Sequence, residues 1–245
     1  MKLPDFFDRV PRLRVRDPLA ALLGCADDGI LDYGYADVVR LTGHSCPSVA
    51  GAYWLTYRAL AALYPAPEIP ERGGVRVEFR ENPRDGVNGV VAAVVQLLTG
   101  AAGESGFCGF AGRHARVGLQ RFAPELPMAL RFTRVDTGVA VDAHVDLGLL
   151  PQNAGEPALL ARCLAARATP PEMRLLGQYW QQRVRTLLFE LGDDPGVFVV
   201  RPASHHWGTP SAPPPPQPSA LGRSARALRA APGPTLQLVA AAQAA

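Results

Sequence analysis

Apolar and polar positions alternate or recur along this chain in a pattern that predicts most of its elements. Leu13 to Val15 alternates as a short strand. Asp17-Pro18 then opens a small helix through Leu23 that stops at Gly24, and Asp27-Asp28-Gly29 makes a turn. A helix over Tyr35 to Leu41 delivers the chain to a second one from Pro47 to Tyr64, ended by Pro65 and Pro67. In that second helix Ala50, Gly51 and Ala52 form a smooth early face on which another backbone can pack closely. Gly74 to Phe79 alternates as a half-buried strand should, and Asn82-Pro83-Arg84-Asp85-Gly86 breaks it.

Val87 to Leu98 carries no charge and ends at Thr99-Gly100, which predicts a buried central helix. Glycines follow at every third position from Gly100 to Gly112, in a pliant loop whose backbone can approach a neighbour closely. A short helix is expected over Arg113 to Arg121. Two alternating strands, Ala129 to Asp136 and Val139 to Asp146, flank Thr137-Gly138 as a hairpin. Glu156 to Ala168 reads as a helix, and Thr169-Pro170-Pro171-Glu172 caps a last one reaching about Glu190. Its stripe of Leu175, Leu176, Tyr179, Trp180, Val184, Leu187 and Leu188 has helical spacing and predicts core or a helix interface. Phe198 to Val200 then precedes a stretch of Ser, Pro, Ala and Arg. The expected architecture is a single α+β domain over residues 1–202, with a mixed or antiparallel sheet packed on helices, and a disordered Pro/Ala-rich tail over 203–245.

At 245 residues and 48% hydrophobic, the chain buries one good core without demanding a second domain. The formal charge of +3 comes from Arg223, Arg226 and Arg229, because the first 202 residues hold 22 basic and 22 acidic side chains. That balance gives no electrostatic case for nucleic acid. The N-terminus lacks the apolar core of a signal peptide, and no stretch approaches the roughly 20 apolar residues that span a bilayer. Cys25, Cys46, Cys108 and Cys163 form no CxxC pair, so a disulfide framework and a zinc ribbon are not signalled, and a reducing cytoplasm suits them.

The chemistry concentrates in Gly43-His44-Ser45-Cys46-Pro47. Pro47 suits the first turn of a helix, which places Cys46 at the N-cap, where the free amides of the first turn favour the thiolate that binds metal or attacks. A plain reading stays open beside this one, with the histidine bonding backbone and the small cysteine filling a gap. Two donors do not close a shell, since structural zinc takes about four and catalytic zinc about three plus water. Further donors could come from Asp85, Glu78, Cys108 or His114. His144, His205 and His206 are weaker metal ligands by position, and the glycine loop lacks the ending of a phosphate loop.

Two blocks, Gly43 to Ala52 and Val87 to Arg116, together with the Asp136-Thr137-Gly138 hairpin and Tyr179 to Arg183, resemble the FmdE family, named for one of the subunits of formylmethanofuran dehydrogenase. The resemblance implies an α+β domain holding a metal, zinc by the family's pattern, through His44 and Cys46. It implies an accessory or small enzyme of one-carbon, molybdopterin or redox metabolism, though not formylmethanofuran chemistry. Where the family carries Cys-Gly-Val-Asp before its Leu-Thr-Gly helix, this chain has Asp85-Gly86-Val87-Asn88, so a soft ligand is missing; the family's cysteine-rich ribbon is missing too. A catalytic version predicts a pocket lined by the 100 to 112 loop. The competing expectation is a metal-free homodimeric interaction module whose tail recruits a partner through Pro213 to Pro216.

Overall fold

The computed structural model describes residues 3–123 and 125–203. Within them the chain is α+β, and one mixed sheet organises it. That sheet is built from β3 (Val75–Phe79), β4 (Gln120–Phe122), β5 (Leu130–Arg134), β6 (Ala140–Val145) and β7 (Phe198–Pro202), in the order β4-β3-β5-β6-β7. Strands β3 and β4 run parallel and every other neighbour pair is antiparallel. The expected hairpin joins β5 to β6, with Gly138 at φ 74° supplying the left-handed turn.

Two central helices cover one face. Helix α3 (Pro47–Leu63) packs on β5, β6 and β7, and α4 (Asn88–Thr99) packs on α3. Val75, Val77, Phe79, Phe132, Val141, Ala143 and Phe198 of the sheet bury against Val49, Ala52, Tyr53, Val94, Val95 and Leu98 of the helices. The small early face of α3 works as its composition predicts, because a Cβ on Gly51 would lie 3.4 Å from Val145 of β6. A small hairpin, β1 (Leu13–Arg16) with β2 (Ile30–Tyr33), brackets α1 (Pro18–Leu22), and α2 (Tyr35–Thr42) leads from it to α3. Strand β2 escaped the sequence pattern because it is four residues long and starts directly after the Asp27–Gly29 turn.

The structure corrects some of these expectations. Residues 113 to 121 form no helix: Ala111 and His114 have φ of 47° and 60°, Phe110 and Arg113 bridge across the turn, and the segment enters the short strand β4. Strand β3 is buried on both faces rather than half-buried. The last helix reaches Glu190 as expected, as α6 (Pro170–Arg185) followed by a π-helical turn at Thr186–Glu190. Its Thr169/Glu172 capping box forms as expected, with the Glu172 carboxylate accepting from the Thr169 amide at 2.8 Å. Only the lower part of its apolar stripe, Val184, Leu187 and Leu188, reaches the core, and Leu175 is exposed. The upper part pairs with α5 (Glu156–Leu164), which is four residues shorter at its end than the pattern predicts. The proline-rich stretch lies outside the described residues.

Candidate functional site at the start of helix α3

The loop between α2 and α3 is fixed at both ends by local chemistry. Gly43 closes α2 in the left-handed conformation at φ 75°, a turn that favours glycine. Pro47 sits in the first turn of α3, and Cys46 is its N-cap, the Sγ accepting from the Val49 amide at 3.5 Å. A sulfur cap is longer and weaker than the oxygen caps preferred at this position. The Cys46 side chain is half-buried against the core, and His44 is exposed.

His44 is oriented by its own backbone neighbourhood. Its Nδ1 lies 3.0 Å from the Thr42 carbonyl, and the Thr42 hydroxyl lies 2.9 Å from the His44 carbonyl. A carbonyl can only accept, so Nδ1 carries a proton, and the neutral tautomer with that proton has its lone pair on Nε2. Ligating histidines are commonly held in this way, one ring N–H donated to a carbonyl and the other nitrogen left for the ion.

Between the two donors, Ser45 is gripped from the far end of the chain. The Gln181 Nε2 donates to the Ser45 carbonyl at 3.1 Å, and the Ser45 hydroxyl donates to Gln181 Oε1 at 3.0 Å. With its proton committed, the Ser45 hydroxyl accepts from the Tyr35 hydroxyl at 2.9 Å. Tyr35 is completely buried between Phe7 and Tyr53, and that burial pushes its phenol well above the ordinary range against the opposing bond to Ser45. It is therefore a neutral donor at any physiological pH. Sequence reasoning placed Gln181 in the resemblance to the family but gave neither it nor Tyr35 a role; the signal was a polar residue on an otherwise apolar stripe.

The further donors considered from sequence are scattered. Asp85 caps its own turn, accepting from the Asn82 amide at 3.1 Å. Glu78 is buried in β3 opposite Arg131, and its Oε2 has no hydrogen-bond partner among the described residues. Cys108 is exposed in the glycine loop, and His114 stands in a left-handed turn of that loop instead of opening a helix. Among the described residues no three His, Cys, Asp or Glu side chains converge as a metal site, so none of these joins His44 and Cys46 in a set of three. His205 and His206 lie outside the described residues. By donor chemistry, an imidazole with a free Nε2 and a thiol two residues on fit two positions of a transition-metal shell.

The glycine loop is not among the residues that line the cavity beside α3. It closes on itself, the Phe110 amide donating to the Arg113 carbonyl at 2.9 Å, and is tied to the body by Arg116, which pairs with Asp17 at 2.6 Å. Arg72 joins the same carboxylate at 2.8 Å. The cavity next to α3 lies elsewhere, between the first turns of α3 and α4 and the ends of β5 and β6.

Compared with protein-family models and with curated proteins, the chain matches none. Among the described residues no helix is long and apolar enough to cross a membrane.

Proposed function

We propose that this chain is a cytoplasmic metal-binding protein similar to the FmdE family, with His44 and Cys46 holding zinc or another divalent transition metal. The observation that supports the reading is the Nδ1 contact of His44 to the Thr42 carbonyl, which leaves Nε2 for an ion while Cys46 starts the adjacent helix. The Tyr35-Ser45-Gln181 chain then serves to hold the two donors at a fixed separation. The remaining positions of the shell fall to solvent or to donors beyond the described residues. A bound metal of this kind supplies Lewis acidity. The role as an accessory or small enzyme in one-carbon, molybdopterin or redox metabolism rests on the resemblance alone.

Cobalt(II) tests the reading directly. Titrating it into the purified full chain is expected to produce a thiolate-to-cobalt absorption band that Cys46→Ser abolishes and His44→Ala weakens. No such band in the native chain overturns the reading.

A metal-free homodimeric module is the second reading, and one observation favours it. Leu164 (80% exposed) and Met173 (55% exposed), at the facing ends of α5 and α6, leave apolar surface uncovered. A dimer that forms without metal, and that Leu164→Glu dissociates, would support this second reading.

A further inference from the structure

A second cavity, of about 380 Å³, opens between the end of β1, the segment 68–74 and the turn of the β5–β6 hairpin. Arg16, Tyr64, Glu68, Glu71, Arg134 and Asp136 are among the residues that line it. Neither His44 nor Cys46 takes part, so this cavity stands apart from any metal. Sites for small molecules begin at about 300 Å³, which this volume exceeds.

The sheet explains how its charged groups come together. Arg134 ends β5 opposite Val75, on the face of the sheet that packs against α3. From there its Nη1 donates to the Leu63 carbonyl at the end of α3 at 3.1 Å and to Glu68 Oε2 at 2.7 Å. Its Nε and Nη2 donate to the two oxygens of Asp136 at 3.0 and 2.7 Å. The same guanidinium lies 4.1 Å from the centre of the Tyr64 ring. One arginine, stacked on an aromatic ring, therefore fixes two carboxylates before any ligand arrives. Glu68 is held through Oε2 alone, and its side chain is 52% exposed, so Oε1 is left to accept. Arg16 and Glu71 are neighbours through the backbone: the Arg16 amide donates to the Pro70 carbonyl at 2.9 Å, and the Arg72 amide donates to the Arg16 carbonyl at 2.8 Å.

Ionised carboxylates only accept hydrogen bonds and guanidiniums only donate them. An ammonium ligand could answer the first set alone, and a carboxylate or phosphate the second alone. A hydroxyl donates and accepts at once, so a ligand with several hydroxyls uses both sets. We propose that this cavity binds a neutral polyhydroxylated molecule of monosaccharide size, with Glu68 accepting from its hydroxyls. At the roughly 30 Å³ that a water occupies in the liquid, the volume admits about a dozen heavy atoms, the size of a hexose.

The test is titration of the full chain with glucose, galactose and mannose, followed by saturation-transfer NMR. Cyclohexanemethanol, a ring of similar size with a single hydroxyl, and putrescine, a cation that can only donate, serve as comparators. Saturable binding of at least one hexose is expected, about tenfold weaker in Glu68→Gln, as loss of a charge-assisted hydrogen bond predicts. Glu68 is half exposed, so this variant should melt close to the native temperature. No saturable binding of any hexose, unchanged affinity in Glu68→Gln, or binding of cyclohexanemethanol or putrescine as tight as that of the best hexose would each overturn the proposal.

Discussion

Ser45 and Gln181, 136 positions apart, hold each other twice: the glutamine amide donates to the serine carbonyl at 3.1 Å, and the serine hydroxyl donates to the glutamine oxygen at 3.0 Å. This reciprocal pair ties α6 to the loop that carries His44 and Cys46. Neither partner is charged, so the clamp is insensitive to salt and works through geometry.

Replacing Gln181 by Leu keeps the size of the side chain and removes both bonds. At about 1 kcal/mol for each neutral hydrogen bond, a stability loss of about 2 kcal/mol is expected in urea unfolding. If the clamp positions the donors, the cobalt band of Gln181→Leu also shifts or weakens. Gln181→Asn, with a shorter reach, should behave like Leu.

Asp17 gives the fold a specific acid sensitivity. Burial alone would push its carboxyl up, but the hydrogen bond from Arg72, the charge of Arg116 and the Ala20 amide outweigh burial and hold it below the ordinary carboxylate range. A carboxyl lowered in the folded state contributes stability that is present above its unfolded value and is lost as pH falls through its folded value. Between about pH 4 and pH 2, native protein should therefore lose stability faster than Asp17→Asn, which is less stable at neutral pH and flatter with acid. Chemical denaturation at a series of pH values measures both.

Arg131 and Asp142 form a two-pronged ion pair at 2.6 and 2.9 Å on adjacent strands, with side chains less than a tenth exposed. Removing one partner strands the other charge, so Arg131→Met or Asp142→Leu alone should cost about 3 kcal/mol or more. The double variant should lose clearly less than the two single losses added together. A double-mutant cycle by urea unfolding reads the difference.

Gly100 closes α4 at φ 72°, and a Cβ there would lie 2.9 Å from the Arg72 side chain and 3.2 Å from the Gly73 nitrogen. Gly100→Ala combines a strained backbone with a crowded contact, and a loss of about 1 to 3 kcal/mol is expected. Gly43→Ala shares the strain but meets no neighbour within 4 Å, so it should cost less. Thermal melts of the two variants test the order.

What could be read from the sequence was what is decided locally. Pro47 in a first turn, Cys46 as its cap and the Thr169/Glu172 box depend on residues within one turn of each other, and the structure has all of them. The Thr137-Gly138 hairpin was legible for the same reason. The segment 113 to 121 misled because its residues tolerate a helix, while the turns at Ala111 and His114 are imposed by the loop's own backbone bonds and by Arg116 reaching Asp17, 99 positions away. Burial of both faces of β3 was equally hidden, since Glu78 and Arg76 look like solvent-facing residues until Arg131 and Asp142 are placed beside them. Of the candidate site, the two donors were legible as a motif. Their support was not, because Tyr35 and Gln181 reach Ser45 only through tertiary packing.

The most direct test of metal binding is elemental analysis of the native protein, purified anaerobically without chelators, beside the His44→Ala/Cys46→Ala double variant. About one zinc or other divalent transition metal per chain is predicted in the native protein and none in the variant, with both folded. No metal in either, or the same metal content in both, would contradict this and leave His44-Ser45-Cys46 as a structural helix entrance.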